Sequence, residues 1–196
     1  LFYYSSPLKV ISLGADMLTV QKGTNNNAIA PYALDQLTTG ENNTAVSTRS
    51  LNKVTTGSNN TALGMNALSS LVDGSYNTAL GVNSLFNLSG SESSSNTAIG
   101  TLSGAYLNGN RNIAIGLFGG ANLNGNNNIA IGNNTCLNAS TFINAITIGN
   151  NTQMKGDNTI NIGSTSNVST FLYGNIYING SSLTEIITTI VQNHMP

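Results

Sequence analysis

A five-residue phrase returns along this chain at near-constant spacing, and a fixed period constrains a fold more tightly than any single motif. Asn-Thr-Ala-Leu-Gly occupies residues 60–64 and 77–81, Asn-Thr-Ala-Ile-Gly residues 96–100, and Asn-Ile-Ala-Ile-Gly residues 112–116 and 128–132. Degenerate copies stand at 26–30, 43–47, 145–149 and 159–163. The nine copies end at 30, 47, 64, 81, 100, 116, 132, 149 and 163, so the steps are 17, 17, 17, 19, 16, 16, 17 and 14 residues. A weaker second phrase follows the first four at constant distance: Ala33-Leu34, Ser50-Leu51, Ala67-Leu68 and Ser84-Leu85.

A unit of 16 or 17 residues is too short for the helix pair of a helical solenoid, which takes about 33 or more. It suits one coil of a parallel β-solenoid, with two short strands and two turns. The expected fold is therefore all-β, a parallel β-roll of about nine coils of 16–17 residues. Residues two apart in a strand share a face. On that rule Leu63, Leu80, Ile99, Ile115, Ile131, Ile148 and Ile162 form one stacked column, with Ile29 and Val46 as partial matches, and this column is the expected structural core. Ala62, Ala79, Ala98, Ala114 and Ala130 form the opposite column, where only a thin side chain fits.

Composition agrees with a stack of coils. Only 13 residues are charged, six Lys+Arg against seven Asp+Glu, where ordinary soluble domains hold roughly a quarter. Their place is taken by 33 Asn, 22 Ser, 22 Thr and 21 Gly, half of the 196 residues. Such a bias by itself matches low-complexity disorder, but the regular apolar columns argue against it. Asn falls at the expected turns, where identical residues on successive coils bond side chain to side chain as a ladder. A net charge of -1 leaves no basic face for a phosphate backbone, so no nucleic-acid partner is expected. No apolar run approaches the roughly 20 residues of a spanning helix, so membrane insertion is not expected either. The chain opens on Leu1 without a basic leader pattern and reads as a processed product or a piece of something longer.

A roll this thin has an interior one side chain deep, and its alanine column is expected to leave a flat apolar side in water. Self-association about a threefold axis, with the small-residue face inward, is the simplest closed solution. A homotrimer is the expected assembly.

The rhythm stops after Gly163, which gives three regions: a lead-in or cap segment at 1–24, the repeat at 25–163, and a neck-like β-segment with a short C-terminal helix at 164–196. Residues 171–180 read as one or two β-segments bounded by Gly. Ser182-Leu183-Thr184-Glu185 matches a capping box, and Leu183, Ile186, Ile187, Ile190 and Val191 recur at helical spacing. That helix is expected either to begin a trimeric coiled coil or to fold back over the roll. Residues 9–24 carry Val10, Ile11, Leu13, Met17, Leu18 and Val20 without the phrase, and are expected to lead into the roll or cap it.

The phrases at 57–64 and 112–116 resemble the head repeats of YadA-like trimeric autotransporter adhesins. The longer unit, Asn-Asn-Thr-Ala-Leu-Gly-x-x-Ala-Leu, is most similar to versions in phage tail fibres and fibres of large DNA viruses. The resemblance covers residues 24–163. It implies a left-handed parallel β-roll, a homotrimer of rolls packed side by side, exposure on a virion or cell surface, and attachment to a host glycan or receptor. Coils of 16–17 residues rich in Asn depart from the shorter, Ala-rich bacterial heads and favour a virion fibre.

No catalytic constellation stands out. Asp16, Asp35, Glu41, Asp73, Glu92, Asp157 and Glu185 are spread singly along the chain, and a paired-carboxylate site is expected at most by assembly across subunits. Cys136 and His194 cannot make a closed zinc site. Neither enzymatic activity nor a cofactor or metal is expected. Tyr76, Phe86, Tyr106 and Phe118 lie between phrases, on expected loops, and are the candidate receptor-binding residues. The competing reading is a passive spacer, nine coils giving a shaft of roughly 43 Å. An ice-binding face would need paired threonine rows, but Thr61, Thr78 and Thr97 give way to Ile113 and Ile129.

Overall fold

Each copy of the phrase folds as one three-residue strand centred, in the first seven copies, on its alanine. In a computed structural model of the chain, residues 2–5, 10–13, 23–88, 93–136, 140–163, 177–178 and 181–182 are described. They fall in two units, Leu1–Ser166 and Asn167–Pro196. The first holds β1 (Phe2–Ser5), β2 (Val10–Leu13), β3 (Asn27–Ile29), β4 (Thr44–Val46), β5 (Thr61–Leu63), β6 (Thr78–Leu80), β7 (Thr97–Ile99) and β8 (Ile113–Ile115). It continues with β9 (Leu123–Asn124), β10 (Ile129–Ile131), β11 (Ser140–Thr141), β12 (Ile146–Ile148) and β13 (Ile160–Ile162). The second unit contains β14 (Tyr177–Ile178) and β15 (Ser181–Ser182), paired antiparallel.

An 11-stranded sheet runs in the order β1-β2-β3-β4-β5-β6-β7-β8-β10-β12-β13. Every pairing from β2 to β13 is parallel, with the repeat in register: Ala62 lies beside Ala79, Ala98 beside Ala114, Leu63 beside Leu80. The chain is thus an all-β parallel solenoid. Its nine phrase strands bound about eight windings of about 17 residues, not nine, a stack of about 38 Å at the usual strand spacing. At its N-terminal edge β2 joins the same sheet and β1 adds antiparallel. Among the described residues there is no helix. The helix expected from residue 183 onward lies outside them, and Ser182 ends β15.

Two expectations about the coil are corrected. The second apolar stretch is a turn, apart from the two-residue pairing of β9 with β11. The expected core column is stacked as foreseen but faces outward: Leu63 is 49% exposed and Ile162 49%, Ile99 and Ile148 are exposed, and Leu80, Ile115 and Ile131 are half-buried. The alanines point in instead. Ala28, Ala45, Ala62, Ala79, Ala98, Ala114 and Ala130 are fully buried. They face a second wall made of Leu34, Leu51, Leu68 and Leu85 together with Leu37, Val54, Leu71, Leu88, Leu107 and Leu123.

The reason lies in the turn. Leu34, Leu51, Leu68 and Leu85 adopt left-handed backbone, φ 48° to 54°, which costs an L-residue about 1–2 kcal/mol. Full burial of a leucine side chain contributes about 1.5–3 kcal/mol, enough to hold that conformation. In the next two coils Gly104 and Gly120 take the position at φ 58° without the cost. With leucines filling the interior from the turn, the sheet wall has room only for a methyl group.

Candidate functional site

The side chains that fix the geometry of the coil are the asparagines that open each phrase. Asn26, Asn43, Asn60, Asn77, Asn96, Asn112 and Asn128 are completely buried. From Asn43 onward the backbone N–H of each donates to Oδ1 of the one before it at 2.9–3.0 Å. Their Nδ2 groups also donate to the main chain of the next coil, Asn60 to Gly74 O and Asn77 to Ser93 O at 2.9 Å. The expected ladder therefore exists, but it lies inside the roll. It ends where Ala145, which has no side-chain amide, donates its backbone N–H to Asn128 Oδ1 at 2.9 Å. Outer amide pairs are shorter runs, such as Asn66 to Asn83 at 3.1 Å and Asn134 to Asn151 at 3.3 Å.

This frame presents two kinds of surface. The outer face of the sheet carries two columns per strand, Thr61 and Leu63 in β5, Ile129 and Ile131 in β10. None of the residues in these columns from Asn27 to Ile162 is charged. Ile160 is 68% exposed at the last strand. The described charges, among them Glu41, Arg49, Lys53, Asp73 and Arg111, sit off this face on the turns. The hydroxyls of Thr56 and Thr55 donate to Asp73 Oδ1 at 2.7 and 2.8 Å and hold its carboxyl below the ordinary carboxylate range.

The other surface holds the candidate aromatics, and the structure does not gather all four. Tyr76 stands 65% exposed at the left-handed corner that precedes a strand, φ 62°. Phe118 is exposed two residues past a phrase end. Phe86 and Tyr106 come closest to a shared site: Phe86 is half-buried, Tyr106 is 54% exposed, and they lie on adjoining coils. The N–H of Asn87, next to Phe86, donates to the carbonyl of Ala105, next to Tyr106, at 2.8 Å. Sequence reading missed Tyr32 and Arg49, which occupy equivalent positions of successive coils. The guanidinium carbon of Arg49 lies 5.8 Å from the centre of the Tyr32 ring, within cation–π range. Aligning the coils on the phrase end would have found the pair.

At the C-terminal end of the stack, a cleft of about 390 Å³ lies over the last coil, lined by Thr152, Lys155, Ile160, Asn161 and Ile162 among others. Cys136 is buried, and that burial raises its thiol pKa. Among the described residues, no three His, Cys, Asp or Glu side chains are grouped so as to hold a metal ion, and no helix is long and apolar enough to cross a membrane. No protein-family model matches this chain, and no curated protein matches it.

Proposed function

We propose that the chain is a non-enzymatic attachment module: a homotrimer of β-rolls in a fibre at a virion or cell surface, which binds a host glycan or receptor through its outward aromatics. The observation that carries this reading is the charge-free outer face of the sheet, with Leu63, Ile99 and Ile148 exposed along it. An extended apolar face in water favours a partner, and a chain whose backbone is stacked rung by rung offers its copies a surface of identical spacing. The face inside the trimer is then the outer Leu/Ile column. The alanines are already covered within each roll and are not available to it.

Phe86 and Tyr106 lie outside the strands of that face, on the turn segments between Leu85 and Leu88 and between Gly104 and Leu107. An exposed ring beside amides and hydroxyls suits a sugar, which offers one apolar face and a rim of hydroxyls. The resemblance to trimeric adhesin and fibre repeats supports the same reading. A spacer function is the second reading, favoured by the uniformity of the coils, since a shaft needs length and stiffness alone.

Two measurements test these readings. Mass in solution near three times 20.3 kDa is expected, and a monomer at all concentrations removes the trimer. On a glycan array, saturable binding abolished by Tyr106→Ala is expected, whereas silence across glycans and host cells leaves the spacer.

A further inference from the structure

The first outward column of the sheet changes chemistry halfway along the roll. It reads Thr44, Thr61, Thr78 and Thr97 as far as β7, then Ile113, Ile129, Ile146 and Ile160 from β8 onward. Thr97 and Ile113 are direct register neighbours. The second column does not change, running through branched aliphatics from Val46 to Ile162. The strands keep their length and register across the switch, and Thr and Ile are both β-branched residues that suit a strand. The fold of the single roll therefore does not require the exchange. What differs is the surface offered to whatever lies against it.

Over the C-terminal half both outward columns are isoleucine, a dry strip whose removal from water is favoured in proportion to its area. Over the N-terminal half every second side chain ends in a hydroxyl, which must keep water or find a hydrogen-bond partner when covered. The face carries no charge, and its rungs repeat at the strand spacing of about 4.8 Å. A second copy of this chain laid parallel to the first offers the same spacing and the same lack of charge, so its rungs match those of the face.

We propose that the seam between copies is divided: residues 113–162 form the dry clamp that holds the assembly together, and residues 44–97 form a hydrated, weaker stretch. This rests on the self-association proposed above and adds which half of the face drives it. The hydroxyl-lined half is then the end at which copies separate first.

The test uses the full chain, with equilibrium sedimentation for self-association and circular dichroism for the fold. The triple variant Ile113→Thr, Ile129→Thr, Ile146→Thr extends the threonine column with a residue that the same column already accepts. It is expected to weaken association at least tenfold while keeping the β-spectrum. The reverse variant, Thr61→Ile, Thr78→Ile, Thr97→Ile, is expected to strengthen it. A single charge in each half completes the comparison: Ile129→Lys is expected to release monomers at concentrations where Thr78→Lys remains assembled. Equal or larger dissociation by Thr78→Lys, or a triple threonine variant that associates as tightly as the wild type, overturns the divided seam while leaving self-association standing. A wild-type chain that is monomeric throughout overturns both.

Discussion

Asn60 Oδ1 accepts two hydrogen bonds from one residue of the next coil, the backbone N–H of Asn77 at 2.9 Å and its Nδ2 at 3.2 Å. Asn77 in turn accepts the N–H of Asn96 at 3.0 Å and donates to Ser93 O at 2.9 Å. One amide thus ties three successive coils together in a dry interior. Its removal leaves a buried N–H and a buried carbonyl without partners, and each such loss costs about 1–3 kcal/mol.

Asn77→Ala is therefore expected to destabilise the roll by about 2–4 kcal/mol. Asn59→Ala provides the comparison: Asn59 is exposed at a left-handed corner, φ 59°, where the loss is only the conformational preference of Asn, about 1 kcal/mol or less. Urea unfolding monitored by circular dichroism measures both. A midpoint for Asn77→Ala no lower than that of Asn59→Ala would show that the buried ladder does not hold the coils.

A second prediction concerns Gly81. Its φ is 135°, and a Cβ there would sit 2.6 Å from the carbonyl carbon and oxygen of Gly100 in the next coil. Neither atom can give way, because both belong to the stacked backbone. Gly81→Ala is expected to cost about 2–4 kcal/mol from strain and steric overlap together. The two N-terminal coils already carry Ala30 and Ser47 at this position, with φ 95° and 107°, so Ser47→Gly is expected to shift the unfolding midpoint little. A thermal melt of the two variants side by side decides the point.

The distinction between Leu63 and Leu68 separates what the sequence reveals from what it conceals. The period, the in-register columns and the narrowness of the alanine position are all visible in the spacing, because a stack repeats the same local environment at every coil. Strand alternation also shows correctly that Leu63 and Ala62 face opposite ways. It does not show which of the two faces is inside. That depends on Leu68, which enters the interior from a turn at φ 52°, a conformation that leucine seldom adopts. A reading based on size alone places the larger residue of the strand inward. The aromatics were scattered for a related reason: spacing gives the rung a residue stands on, but not the corner of the coil from which it projects.

Mutation of the same pair is expected to show two separate effects. Leu68→Ala removes a fully buried side chain and is expected to lower stability by about 2–5 kcal/mol. Leu63→Ala truncates a side chain that is 49% exposed in the single roll, so at dilutions where copies are separate it is expected to cost about 1 kcal/mol or less. Its effect is expected in self-association instead. Measuring unfolding at low concentration and sedimentation at high concentration on both variants distinguishes an inner wall from an outer seam. A large loss of monomer stability from Leu63→Ala would reverse the assignment of the two walls.

Cys136 provides a test of the interior near the end of the stack. It occupies the position that Leu34, Leu51, Leu68 and Leu85 hold in the first four coils, and is buried with φ 52°. Burial pushes its thiol pKa up, with opposing contacts from the Met154 backbone and the Thr147 side chain. A raised folded-state pKa means that the folded chain holds the proton more tightly than the unfolded chain. The resulting stability is present below the unfolded thiol range, about 8.5, and is lost as pH rises through the folded value. Stability is thus expected to fall on the alkaline side more steeply in the wild type than in Cys136→Ala, once the lower baseline of that variant is subtracted. Labelling by a thiol reagent at pH 8 gives a second readout: modification is expected to proceed only as fast as the coil opens, and to accelerate with urea. Thr147 Oγ1, near the Cys136 thiol but buried with no hydrogen-bond partner, offers a second check of the same region. Because alanine fills that inward column in the preceding coils, Thr147→Ala is expected to leave stability unchanged or raise it by about 1 kcal/mol. Rapid stoichiometric labelling of the native chain, or strong destabilisation by Thr147→Ala, would mean that this end of the roll is not packed as the earlier coils are.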